Sequence, residues 1–215
     1  MYRALWLCLS VAAGIGAETF DRIAIAFGHQ VITESAIRDQ IRITALLNEE
    51  PISFAGAVKR KAADQLLEQA LIRREMEISR YPLPIDEEIP ALLEVFRKDN
   101  FRNAADYSKK LTEYGVTEKQ LGRALLNQAA ILRFVELRFR PGVAVGEGEV
   151  EIYYREQFVP QWEKDNPGKS PPDIEDAAER IEQVLAAERV DRALDEWLRE
   201  ARNQARVRYF EEAFR

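Results

Sequence analysis

The side chains able to do chemistry are few. His29 is the single histidine and Cys8 the single cysteine in 215 residues. A Cys/His zinc site needs about four such ligands, so none can be built within the chain. His29 follows Gly28 and reads as a solvated turn residue. Acidic pairs stand at Glu49-Glu50, Glu87-Glu88 and Glu211-Glu212. A catalytic carboxylate needs a pKa displaced by burial, and no apolar pocket pattern surrounds these pairs, so they read as surface charge. Gly142-x-x-x-Gly146-x-Gly148 has the look of a phosphate loop but lacks the following Lys-Ser/Thr. No nucleophile elbow is present. No catalytic residue, metal or cofactor is expected. What is left is aromatic: Phe96, Phe101, Tyr153, Tyr154, Phe158, Trp162 and Trp197. Trp197 lies inside a regular apolar stripe and is expected in the core. Phe158 and Trp162 lead into a proline-rich stretch, where a ring can stay partly exposed. An apolar surface rimmed by charge can hold polypeptide segments that share no fixed sequence. Phe96, Phe101, Tyr153, Phe158 and Trp162 are therefore the candidate binding residues.

Composition narrows the setting. Apolar residues make up 47% of the chain, which places it among globular proteins. The formal net charge is −6, with no long basic run, which argues against a nucleic-acid partner. Met1-Tyr2-Arg3, the apolar run Ala4 to Ile15 and the small residues Gly14, Gly16 and Ala17 make the three parts of a secretory signal peptide. Cleavage is expected after Ala17. The run falls short of the ~20 apolar residues of a stable span, so no membrane span is expected once the signal is removed. Cys8 would leave with the peptide. Residues 18–215 then form one domain.

The elements that must position the aromatic residues follow from periodicity. Ile23, Ile25 and Phe27 alternate, and Gly28-His29 makes a tight turn into Gln30-Val31-Ile32. Ile37, Ile41 and Ala45 predict a helix ended by Asn48–Pro51. A long helix is predicted from Phe54 to Arg80, with Val58, Ala62, Leu66, Ala70 and Leu71 as its stripe. Pro90 must lie in the first turn of the next helix. Asn103 caps another, which Gly115 stops. Thr117-x-x-Gln120 is a capping box; it opens a helix with the stripe Leu121, Leu125, Ala129, Leu132, Val135 and Phe139. Val150, Tyr153, Tyr154 and Phe158 share a face. Residues 159–172, polar and with Pro167, Pro171 and Pro172, read as a flexible linker. A second long helix covers Asp173 to Asn203. Its stripe loses phase between Leu185 and Val190, so its halves should pack on different partners. Ala205 to Tyr209 alternates and reads as a strand. A lone strand needs a partner, so Ala205–Phe210 should join the hairpin at 21–32 and bring the chain ends together.

Asp21 to Ser35, Tyr114 to Leu126 and Arg189 to Phe210, with Leu66–Arg74 and Asp86-Glu87-Glu88, resemble the SurA-type periplasmic chaperones. The resemblance runs over nearly all of residues 18–215. It implies a mainly α peptide-binding domain, similar to that of trigger factor, in which a small β-sheet pairs an N-terminal hairpin with a C-terminal strand. It also implies a periplasmic, ATP-independent chaperone that binds unfolded or nascent exported polypeptides, outer-membrane proteins among them. Relatives commonly insert parvulin prolyl-isomerase domains where only 159–172 stands here, too short for a domain. The single histidine also rules out a histidine pair in a parvulin-like site. Non-enzymatic chaperoning is the expectation. An exported isomerase-related protein and a structural adaptor of an envelope complex are the alternatives, and self-association stays open.

Overall fold

The computed structural model describes residues 21–215; the expected signal peptide lies outside them. β-branched Ile23 and Ile25 favour extended backbone, and Gly28, at φ 53°, supplies the positive φ of the turn. Strands β1 (Ile23–Phe27) and β2 (Gln30–Thr33) pair antiparallel around it. The far end of the chain supplies β3 (Arg208–Tyr209), antiparallel to Ile25 and Ala26, and the sheet order is β2-β1-β3. The chain ends thus form one unit, as the orphan strand required. β3 is shorter than the expected strand because Ala205 still caps the preceding helix and Arg206 turns to φ 51°. Phe210 N–H prolongs the pairing with a bond to the Ala24 carbonyl, 2.9 Å. The alternation in β1 is also broken: the register shifts between Ile23 and Ile25, leaving Ile23 exposed and Ala24 buried beside Ile25.

Helix α1 (Glu34–Asn48) starts at Thr33, whose hydroxyl accepts from Ala36 N–H, and stops where Glu49 turns left-handed. Helix α2 (Gly56–Ile78) begins later than its apolar pattern indicated, and Phe54 stays exposed. At Gly56 an added Cβ would sit 2.5 Å from the Phe214 carbonyl oxygen, so glycine admits the C-terminal tail there. The stripe of α2 is wider than expected. Ala63, Leu67, Ile72 and Met76 are buried as well as Ala62 and Leu71, because α2 packs on α1, on the sheet and on two later helices. Lys59 is buried too. Its ammonium donates to the carbonyls of Arg215, 2.7 Å, and Ala213, 3.4 Å, and lies 3.5 Å from Glu34 Oε1. A buried cation is tolerated only with such partners.

After a 3₁₀ turn at Asp86–Glu88, helix α3 (Ile89–Asn100) carries Pro90 in its first turn. Helix α4 (Ala104–Tyr114) has Asn103 as its cap and Gly115, φ 63°, as its stop. Helix α5 (Glu118–Arg138) opens on the full capping box: Gln120 N–H donates to Thr117 Oγ1 and Thr117 N–H to Gln120 Oε1. Its buried line is Leu121, Gly122, Leu126, Ala130 and Phe134, one position beyond the expected stripe, and Leu132 is exposed. Gly122 sets this phase. A Cβ there would meet Ile89 Cγ2 at 2.5 Å, so α3 crosses α5 at the glycine and draws that face inward.

Helix α6 (Glu147–Tyr153) runs through a π turn (Tyr154–Phe158) into α7 (Val159–Asp165). Helix α8 (Ile174–Gln204) returns along the molecule. The supposed linker is a correction: half of 159–172 is helical, and only the residues between α7 and α8 are irregular. Pro160 falls in the first turn of α7, where a missing N–H costs least. The wider π turn before it absorbs the clash that a proline makes with the preceding turn.

Four apolar clusters result. The first joins the sheet, α1, α2 and the C-terminal tail. The second lies among α1, α3, α4 and α5, and the third among α2, α5 and the end of α8. The fourth holds Val150, Ala177 and Ile181 between α6 and the start of α8. The halves of α8 do pack on different partners: Ile181 and Leu185 on α6, Leu194 and Trp197 on the third cluster. Trp197 is core, 4.9 Å from the Phe134 ring centroid.

Candidate functional site: an aromatic groove on the α6–α8 lobe

The five candidate residues fall into two groups. Phe96 and Phe101 sit at the edge of the second cluster, half-buried. Their rings meet edge-on at 5.7 Å, and Phe101 meets Tyr107 at 5.3 Å. These contacts make them packing residues that close one end of α3. A cavity of about 370 Å³ lies beside them, but Arg102, Asp106, Lys109, Lys110 and Glu113 form much of its wall.

Tyr153, Phe158 and Trp162 stand together on the other lobe. They line a groove of about 320 Å³, closed on its far side by Arg180, Ile181 and Val184 of α8. The local sequence explains the arrangement. Tyr154, Phe158 and Trp162 recur every four residues, so each ring lies over the next along the helix face. The rings stack at 5.6 Å and 19°, then 6.0 Å and 25°. Offset stacking of this kind adds about 0.5–1.5 kcal/mol per pair beyond area burial. Each ring keeps part of its surface in solvent.

Two anchors fix the ladder. Tyr154 Oη donates to the Pro172 carbonyl, 2.8 Å, and so ties the irregular stretch to the π turn. Asn166 N–H donates to the Trp162 carbonyl, 2.8 Å, and ends α7. At the base of the lobe, Arg189 of α8 binds both Glu149 and the Ala144 carbonyl. In contrast, the Trp162 indole N–H is shielded from solvent and has no hydrogen-bond partner. A buried donor without an acceptor costs about 1–3 kcal/mol.

The groove is built for contact. Its polar members, Gln157, Gln161, Asp165, Asn166 and Arg180, rim the rings. Among the described residues no cluster of His, Cys, Asp and Glu is arranged to hold a metal ion, and no helix is long and apolar enough to cross a membrane. The α8 wall does not stand out in the sequence: Ile181 reads as an ordinary stripe position, and Val184 falls outside the stripe. Tyr154 was signalled by its spacing from Phe158 and Trp162, and the structure makes it the ladder's anchor. No protein-family model, no curated protein and no solved structure matches the chain.

Proposed function

We propose that the protein is an exported, periplasmic, ATP-independent chaperone that holds unfolded or nascent exported polypeptides, outer-membrane proteins among them, in the groove of the α6–α8 lobe. One observation carries the proposal: three half-exposed aromatic rings, Tyr153, Phe158 and Trp162, line one groove backed by a very small core. An extended polypeptide offers what this surface can take, apolar side chains for the rings and backbone amides for the polar rim. The apolar N-terminal run and the resemblance to SurA-type chaperones supply the compartment and the client class. Binding should be on the order of micromolar, because an unfolded client loses chain entropy when held.

The test is suppression of aggregation of a urea-diluted outer-membrane protein, without nucleotide. The parent should suppress it, and the Phe158→Ser/Trp162→Ser double variant should lose most of that effect while keeping its helical circular dichroism. A folded double variant that holds clients as well as the parent would show that the groove is not the site. A parent that holds no unfolded exported protein would favour the structural adaptor.

A further inference from the structure

The hairpin turn and the end of α8 enclose a second cleft, of about 660 Å³, whose charge is one-sided. Arg74, Arg206 and Arg208 line it with His29, Gln30 and Gln204, and no carboxylate does. Single unpaired arginines also occur elsewhere among the described residues; what marks this cleft is that three of them line one concavity. Arg138 holds Glu75 and Arg202 holds Glu68, both on helices that border this region. Arg74, Arg206 and Arg208 have no carboxylate within 4.0 Å among the described residues. Two carboxylates line the adjoining cavity: Glu75 is bound by Arg138 and Ser79, and Glu200 accepts from the neutral Gln204 amide and keeps its charge.

Backbone geometry brings the three arginines to the cleft, where the Arg208 guanidinium also lies over the Phe210 ring, 4.9 Å from its centroid. Gly28 N–H donates to the Ala205 carbonyl, 3.2 Å, locking the hairpin turn onto the end of α8. A Cβ at Gly28 would lie 3.6 Å from Arg74 Nη1, so that guanidinium rests over the turn. Arg206 sits at φ 51°, an uncommon conformation for a residue other than glycine. It redirects the chain so that Arg206 and Arg208 both reach the cleft. Pairing of Arg208 with Ala26 in the sheet fixes the latter position.

The bland account is that these cations merely answer the negative ends of two helices. The magnitudes do not close. Each helix C-terminus carries about half a negative charge, so α2 and α8 together offset about one of three positive charges. Glu200, next to the cleft and bonded to a neutral amide, offsets about one more, so roughly one positive charge remains in a concave site where the field is focused.

We infer that this cleft binds a phosphate-type oxyanion, either free or as the headgroup of an anionic lipid. Arginine forks match the oxygen geometry of phosphate. The groove on the other lobe plays no part, so failure of either assignment leaves the other intact.

The experiment is titration of the purified protein with inorganic pyrophosphate at constant ionic strength, followed by calorimetry, with flotation on vesicles of phosphatidylglycerol in phosphatidylcholine as a second arm. Saturable pyrophosphate binding is expected, weakened about tenfold or more by Arg74→Gln/Arg208→Gln. Arg192→Gln, which removes an exposed charge outside the cleft, should leave it unchanged. Vesicle binding lost in the same double variant would identify the headgroup as the source; pyrophosphate binding without vesicle binding would identify the free anion. The inference is overturned if neither probe binds, or if Arg192→Gln weakens binding as much as the cleft variant does.

Discussion

The main body and the α6–α8 lobe solve the same problem with different means. In the body, α2 is buried on several sides and contributes to two of three large clusters, with Ile25, Leu67, Leu121 and Phe134 fully enclosed. In the lobe, Val150, Ala177 and Ile181 are the buried residues, and the large side chains Tyr153, Tyr154, Phe158 and Trp162 pack over them half-exposed. A body built this way derives its stability from long-range packing. The lobe depends on local helix contacts, one aromatic ladder and a few polar anchors. Regions with few buried contacts open at lower free energy than the whole. An adaptable surface on a rigid frame suits a partner that has no fixed shape.

This contrast can be broken from the body's side first. Phe134 is fully buried against the rings of Tyr81, Phe139 and Trp197. Phe134→Ala should cost about 3–5 kcal/mol and lower the urea midpoint of the whole molecule. Ile181, equally buried but in the lobe, gives the counterpart. Ile181→Ala should cost about 2–4 kcal/mol locally and speed amide exchange across α6, α7 and the first half of α8. The urea midpoint seen by Trp197 fluorescence should move far less. A full shift of that midpoint would mean that lobe and body unfold as one.

A smaller effect probes the junction of the chain ends. Tyr209 Oη donates to Asp64 Oδ1, 2.5 Å, and the ring lies 4.4 Å from the Arg60 guanidinium. Burial, then the bond and charge of Asp64, push its phenol up to about 12. The folded pKa is raised, so its contribution is complete below pH 10, the unfolded value, and disappears as pH rises towards 12. Solvent screening at this partly exposed ring reduces the contribution to about 1 kcal/mol. Tyr209→Phe should therefore make the loss of stability between pH 10 and 12 shallower; Tyr107, also pushed to about 12 by burial and by Glu118, keeps some of it. The smallest effect is at the ladder's anchor. Tyr154→Phe removes the bond to the Pro172 carbonyl and should cost about 0.5–1 kcal/mol, read as faster exchange in the segment between α7 and α8.

How much of this could be read in the sequence depends on whether the determinant is local. Capping at Asn103, the Thr117–Gln120 box, the stop at Gly115 and the hairpin turn at Gly28 are each decided within four residues, and each was legible. The union of the chain ends was legible for a different reason, since an unpaired strand needs a partner. The phase of α5 was not. Leu125, Leu126, Ile131 and Leu132 offer two rival stripes, and the close crossing at Gly122 chooses between them. Burial of Lys59 was invisible, because its partners come from the tail. At the groove, the aromatic residues were legible as candidates. Their division into two groups was not, since the polar, proline-rich stretch 159–172 read as a linker and hid the continuity of α6 with α7.

The central claim, that the lobe's groove holds unfolded polypeptide, is tested most directly by amide hydrogen exchange with and without an unfolded outer-membrane protein. The account predicts slower exchange in residues 153–165 and 177–185, with the sheet, α2 and α5 unchanged. Unchanged exchange in those two segments while the client is demonstrably bound, or protection confined to the body, would contradict it.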